Sequence, residues 1–501
     1  MQYDEIYIVS GSGGLNGIIG ISMWKKYMNN VYNKLNNRIL KSQNKKLDDI
    51  KDIFGILNNK KINFYGSSVG SIENMICINY IYSLMNDEYE EYEKKIHSLL
   101  YSKNKISTKK ELDNNTEKLI KNFTNINWLN SSYLKFKIFF KILSSSNHLI
   151  DSDNFYENYI YNLFSNELCE WLNNENCFVN MSVATTSRTT KKTTLFINKK
   201  VNNNLFNNYN IFQNFHDTIN NHDINNNKYV INDWRHIIRA SSSITFIYKD
   251  IPLNMSSKQN EYLKNKDNEN CYLKMCCCSS MKKEYIEDSK YIDYYTDGGL
   301  IESIPITKII NDEIINDGII KETEKREEKC MYIFDCYNPF SKNKYNNDEN
   351  NEEIENLIEN ITKTNDILMK EIFFKDIINV FDENKLEESR NSFESIRELK
   401  IKIENIIIND DINEKIIIID DENKKKKTNV FYITIKNDKY ELKIDKILDI
   451  GISNVYYIYF DSNIEILELL NNVGSKETIE KIGNLRNIGN NYGDLLYELM
   501  N

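Results

Sequence analysis

The chain has 501 residues, of which 41% are hydrophobic and 12% aromatic, enough for about two to four domains with a substantial core. Charged residues make up 28% and the net charge is -10, which argues against broad nucleic-acid binding, because that needs a basic surface; local basic patches stay open. No apolar run is long enough to span a bilayer, and the opening "MQYDEIYIVSGSGG" lacks the basic region and apolar core of a secretory signal, so a cytoplasmic protein is expected.

There are 33 Tyr but only 5 His, 3 Pro and 16 Gly. Asn, Lys and Ile, which have AT-rich codons, are abundant, so the Asn runs are read as coding bias before function. Nine Cys without a secretory signal imply free thiols in a reducing compartment. Cys271, Cys276, Cys277 and Cys278 raise the question of zinc. Their spacing lacks two CxxC pairs, and three adjacent thiols chelate one tetrahedral ion poorly, so no metal is expected.

In chain order, Tyr3 to Ser10 reads as a buried strand, followed by a glycine-rich loop and a helix over 18–35. Lys61 to Tyr65 reads as a second strand, and a second helix runs from Ser71. Strand, tight turn, helix, repeated, is the pattern of a parallel sheet covered by helices. Residues 87–175 read as mostly helical, 177–187 and 193–200 as strands, and the Asn-rich 202–228 as a loop or insertion. "WRHIIRASSSITFIYKDI" (234–251) runs from a helix into an extended segment. Asp297-Gly298-Gly299 is a turn signal, and 331–340 is a buried strand. The polar 341–353 reads as a linker. Beyond it lie a hairpin over 429–444, a strand over 454–461 and a helix over 475–500. The domain reading is therefore 1–340, then a C-terminal α+β extension, 341–501, of unknown role.

Gly66-Ser67-Ser68-Val69-Gly70, between a strand and a helix, has the form of a nucleophile elbow with Ser68 as nucleophile. An ordinary strand-to-helix turn is the plain alternative. The usual base is His, after the acid in an α/β-hydrolase. The five histidines are His97, His148, His216, His222 and His236, all upstream of Asp297, so that triad is disfavoured. Asp297 is a poor base in water but serves if it touches the serine in a desolvated cleft. A serine hydrolase using His236 is a further reading. "SGSGGLNG" (10–17) can present backbone N–H groups to an oxyanion. As a dinucleotide loop it fails, because the third glycine of GxGxxG would fall on Asn16.

Together these pieces resemble the patatin-like phospholipases. The family's glycine-rich oxyanion loop is similar to Ser12-Gly13-Gly14-Leu15-Asn16-Gly17, its nucleophile motif to Gly66 through Gly70, and its Asp-Gly-Gly motif to "DGGLIESIPI". "IIRASSSITFIY" and "SVATTS" are weaker echoes. The matches run in family order over about residues 5 to 340. Ser12 replaces the first glycine, Asn16 the basic residue and Thr245 a proline. The resemblance implies an α/β three-layer αβα fold with a central, mostly parallel sheet. It implies hydrolysis of fatty-acyl esters by a Ser68–Asp297 dyad, with Gly13 and Gly14 as oxyanion donors. Gly17, Gly66, Gly70, Gly298 and Gly299 are the motif glycines, and neither cofactor nor metal is needed. Phospholipid or another acyl-ester lipid is the implied substrate, with peripheral membrane contact through "YLKFKIFFKIL" (133–143) or "ENKKKKT" (422–428). A catalytically inactive lipid-binding or scaffold protein on the same fold is the alternative.

Overall fold

The computed structural model of the chain describes residues 3, 5–13, 16–39, 62–100, 156, 161–174, 176–188, 191–198, 211–214, 233–243, 248–254, 292–301, 303–305, 329–336, 404–407, 427–436, 439–448, 452–460 and 476–500. Their strands are β1 (Glu5–Ser10), β2 (Ile62–Ser67), β3 (Val179–Ser187), β4 (Thr193–Ile197), β5 (Ile211–Asn214), β6 (Ile251–Asn254), β7 (Ile292–Asp297), β8 (Lys329–Asp335), β9 (Glu404–Ile407), β10 (Lys427–Lys436), β11 (Lys439–Leu448) and β12 (Asn454–Tyr459). The main helices are α1 (Gly17–Ile39), α2 (Val69–Met85), α3 (Tyr89–Leu100), α4 (Asn166–Asn173), α5 (Trp234–Ser241) and α6 (Lys476–Met500).

The strands form one mixed sheet in the order β5-β4-β3-β2-β1-β8-β12-β10-β11-β9, with β7 paired to the end of β3 and β6 paired to β7. From β3 to β10 every neighbouring pair is parallel. Parallel strands covered on both faces need continuous apolar runs rather than alternation. β1 and β8 meet that demand with Ile6, Tyr7, Ile8, Val9 and Met331, Tyr332, Ile333, Phe334, all buried. The architecture is thus an α/β fold of mostly parallel strands with helices.

α2 is apolar nearly all round and almost wholly buried, from Val69 through Leu84. A helix with no polar face belongs inside the molecule. Its two buried amides are tied down. Asn79 Nδ2 donates to Leu163 O at 2.7 Å. Asn74 Nδ2 donates to Tyr65 O at 2.9 Å, while its Oδ1 accepts from Ser10 Oγ at 2.7 Å, so one amide joins the carboxyl ends of β1 and β2.

The sequence boundary at 340 falls just after β8, and 341–353 lies outside the described residues. The strands beyond it extend the same sheet. β12 pairs with β8 from Asn454↔Cys330 to Tyr459↔Asp335, and β10 pairs with β12. The anticipated hairpin is β10–β11, in register from Lys427↔Leu448 to Lys436↔Lys439. One expectation is corrected: Ile211–Asn214, within the stretch read as a loop or insertion, is a strand parallel to β4. Four residues are too few for a period-2 pattern to stand out from Asn-rich surroundings. The cysteine cluster at 271–278 and the segment 133–143 lie outside the described residues, as does 422–426; Lys427 and Thr428 open β10. Among the described residues no helix is long and apolar enough to cross a membrane.

α6 packs along α1 at close range. A Cβ on Gly489 would lie 2.4 Å from Ile19 O, and one on Gly493 would lie 2.6 Å from Met23 O. Asn30 Nδ2 donates to Asp494 Oδ1 at 2.7 Å beside this seam. Tyr492 fastens the helix to the sheet, its hydroxyl donating to Tyr459 O at 2.8 Å and accepting from Ile435 N at 2.9 Å. Gly489→Val must push the two backbones apart and is expected to cost about 1–3 kcal/mol, read as a lower denaturant midpoint. On the same helix a Cβ at Gly483 would meet only Arg486 Nη2, at 4.0 Å. Gly483→Ala is expected to hold or raise the midpoint by about 0.5–1 kcal/mol.

Candidate active site

The carboxyl ends of β1 and β2 lie side by side, Ser10 opposite Gly66. In parallel α/β sheets this is the end where ligands bind. From β2 the chain turns at Ser68 directly into α2. Ser68 has φ 54° and ψ -129°, a left-handed conformation that costs a non-glycine residue about 1–3 kcal/mol. The turn is tight enough to require its glycines. A Cβ on Gly66 would lie 2.6 Å from Ser71 Cα, and one on Gly70 would lie 2.3 Å from Ser10 O. The strained residue is held from several directions. Ser68 N donates to Ser241 Oγ at 2.9 Å, and Ser241 Oγ donates to Ala184 O at 2.6 Å. Ser68 O accepts from Ser71 N at 3.0 Å and from Ser71 Oγ at 2.6 Å.

Ser68 Oγ donates to Asp297 Oδ2 at 2.7 Å. Asp297 ends β7, opposite Thr185 of β3, and caps the single 3-10 turn Gly298–Leu300, its Oδ1 accepting from Gly299 N at 2.7 Å. Its backbone is clamped as well: Asp297 N donates to Ser243 O at 2.9 Å, and Asp297 O accepts from Thr186 Oγ1 at 2.8 Å. Gly298 is needed for close approach, since a Cβ there would lie 2.2 Å from Ala184 O. Ser68 and Asp297 are 5% and 4% exposed, so their bond is formed almost out of reach of solvent. Burial pushes the Asp297 carboxyl up to about 7, against the opposing pull of the Ser68 and Gly299 hydrogen bonds.

The loop after β1 passes beside this pair. Gly11 N donates to Phe334 O at 2.9 Å and Ser12 N to Ser303 O at 3.0 Å, while the Ser12 and Ser303 hydroxyls bond to each other. Ser12 thereby ties this loop to the segment following Asp297. Gly13 O accepts from Asn16 N at 3.0 Å, and Gly13 N has no acceptor among the described residues. A Cβ on Gly13 would fall 2.2 Å from Cys336 Sγ. Gly14 lies outside the described residues. Gly17 opens α1 against Val69, at the start of α2. The unpaired N–H groups of that helix end carry positive partial charge next to Ser68.

The structure therefore brings together Ser68, Asp297, Gly66, Gly70, Gly298 and Gly299, with Gly17 against Val69, while Gly13 lies in the loop after β1 against Cys336. His236 does not join them: its ring lies 5.2 Å from that of Tyr161, and burial lowers its pKa. Four supporting residues escaped the sequence reading: Asn74, Ser241, Ser303 and Glu73. Ser241 lay within the recognised Ala-Ser-Ser echo, and only its role was missing. Glu73 is 2% exposed, and burial pushes its carboxyl pKa well above the usual range. It fills the space over Gly20, where a Cβ would lie 2.2 Å from Glu73 Cδ. A scan of the chain against protein-family models and a search of the curated proteins each found no match.

The raised Asp297 pKa has a sign for stability. The folded protein holds this proton more tightly than the unfolded chain, so stability from this group falls as pH rises from about 4 to about 7. Above that window the buried carboxylate costs on the order of 4 kcal/mol. Asp297→Asn is thus expected to raise the urea midpoint at about pH 8, with the gain fading toward about pH 4. Equal midpoints for mutant and wild type at both pH values would speak against a desolvated carboxylate.

Proposed function

We propose that the chain is a lipid acyl hydrolase of the phospholipase A type, with the three-layer patatin-like fold, acting through a Ser68–Asp297 dyad and an acyl-enzyme. The observation that carries the chemistry is the 2.7 Å bond from a serine in left-handed backbone to a buried carboxyl whose pKa is about 7. A carboxylate with that pKa is a competent general base near neutrality. Lipid as the substrate class follows from the ordered motif resemblance.

In the first half-reaction Ser68 Oγ attacks the ester carbonyl carbon, and its proton passes to Asp297 Oδ2. The carbonyl oxygen becomes an oxyanion, received by Gly13 N–H, by Gly14 of the same loop and by the positive end of α2. The intermediate collapses, Asp297 protonates the leaving alcohol or lysolipid, and the acyl group stays on Ser68. Asp297 then deprotonates a water that attacks the acyl-enzyme, and as the intermediate collapses it returns that proton to Ser68 Oγ, releasing the fatty acid and restoring the free serine and carboxylate. No histidine or metal takes part. A cytoplasmic location with peripheral membrane contact fits such a substrate.

The test is fatty-acid release from mixed phospholipid and neutral-lipid vesicles, with fluorophosphonate labelling in parallel. Ser68→Ala and Asp297→Ala are each expected to lower release at least about a thousandfold. Labelling should disappear in Ser68→Ala. Activity without labelling, or labelling that survives this mutation, would remove Ser68 from the chemistry. Because the base works only deprotonated, kcat/KM should fall tenfold per pH unit below about 7 and level off above it. An acid limb centred near pH 4 instead would mean that the working carboxyl is solvated.

A further inference from the structure

Beyond Ser67, where β2 ends opposite Ala184, β3 continues for three more residues, Thr185, Thr186 and Ser187. It then turns through Arg188 to Lys191 and returns as β4, closed by Lys191 N to Ser187 O and Ser187 N to Lys192 O, at 2.9 and 3.0 Å. β7 joins this arm in antiparallel register, Asp297 opposite Thr185 and Tyr295 opposite Ser187, and β6 lies against β7. The arm therefore stands ahead of the candidate site at the carboxyl end of the sheet. Its tip is about 10 Å past Asp297, three residues of strand.

The chemistry of this arm differs from the rest of the molecule. The chain as a whole carries -10. Among the described residues, the arm and the entry to β6 place Arg188, Lys191 and Lys249 in the open and Lys192 half-buried. Besides Asp297, the carboxylates among the described residues of the arm are Asp250 and Asp293. Asp250 pairs with Arg188 at 2.9 Å, and Asp293 is buried, accepting from Ser187 Oγ and from Tyr294 N. Amid these cations stands Tyr294, 54% exposed, its carbonyl accepting from Arg188 N at 2.9 Å. Tyr294 and Ile301 are the exposed large apolar side chains among the described residues, and they flank Asp297 in sequence. An exposed aromatic ring set among lysines and arginine matches the boundary between acyl chains and anionic headgroups.

We propose that the β3–β4 and β6–β7 arm docks the protein on an anionic phospholipid bilayer, with Lys191 and Lys249 on the headgroups and Tyr294 at the interface. Docked in this way, the arm sets the candidate site against the membrane from which an ester would be drawn. The inference rests on the lipid-hydrolase reading for its purpose, while the binding it asserts is measured without turnover.

The experiment is flotation of the full chain with phosphatidylcholine vesicles, and with the same vesicles containing phosphatidylserine. Wild type and Ser68→Ala should both bind, with preference for the anionic vesicles. The double variant Lys191→Gln, Lys249→Gln should lose roughly 30-fold in affinity for them, since each cation at the surface contributes about fivefold. Tyr294→Ala should weaken binding further, with thermal melts unchanged in all variants. Wild-type affinity in the double variant, or equal binding to neutral and anionic vesicles, overturns the proposal. Turnover of a water-soluble short-chain ester separates the two readings. Its absence in wild type removes the hydrolase and leaves docking standing, whereas full turnover with vesicle binding unaltered by the variants removes the docking surface alone.

Discussion

The structure turns on the 2.7 Å hydrogen bond between Ser68 and Asp297, which joins residues 229 positions apart. For the serine hydroxyl to reach that carboxyl, the backbone must leave β2 through a left-handed residue and enter α2 at once. The glycines around Ser68 exist because the chain then passes within contact distance of itself. Strain at one residue survives only where the surroundings over-determine it. Here Ser71 holds Ser68 O, Ser241 holds Ser68 N, and Asn74 locks the strand ends on either side. The burial of α2 follows from the same need, since a helix anchored in the core cannot shift when its first residue is strained.

The same dryness has two effects. It raises the Asp297 pKa to about 7, which gives a carboxylate basic enough to accept a serine proton near neutrality. It also makes every neighbouring polar group costly unless it is satisfied. This accounts for the density of small hydroxyls around the pair. Thr186, Ser241 and Ser243 each bond to backbone and add almost no volume or net charge. A full charge in their place would pull the carboxyl pKa back toward or away from its range. Glu73, packed against a surface that Gly17 and Gly20 leave open, has its carboxyl pKa pushed well up by the same burial.

Much of the strand-turn-helix order was legible because it rests on local constraints. A buried parallel strand needs an unbroken apolar run, and an elbow needs glycines at fixed offsets, so β1, β2, β8 and Ser68 could be located from the chain alone. Asp297 could be singled out only because Asp-Gly-Gly followed the other motifs in order; β7, the strand that carries it, shows no clear alternation in "IDYYTD". The supporting side chains were beyond reach for a different reason. Asn74 in an apolar helix and Ser303 in a loop have no pattern, and their roles come from neighbours hundreds of residues away in the case of Ser12 and Ser303. β5 was hidden by its brevity within an Asn-rich stretch.

The described part of 341–501 bears on the site through contacts rather than chemistry. Gly11 N is fixed by Phe334 O, and Gly13 rests on Cys336, so the loop beside Ser68 is positioned by the end of β8. That end is in turn flanked by β12: Phe460 N donates to Asp335 O at 2.8 Å, and the Tyr457 hydroxyl donates to the Asp335 carboxylate. On the other side of the loop, α1 begins at Gly17 and is held along its length by α6. The loop is thus gripped between a strand and a helix that both depend on the last fifty residues for their neighbours. Backbone donors stabilise a developing charge only when they do not have to move to reach it. A chain ending at β8 would leave the edge of that strand and one face of α1 uncovered, and the loop between them free to relax.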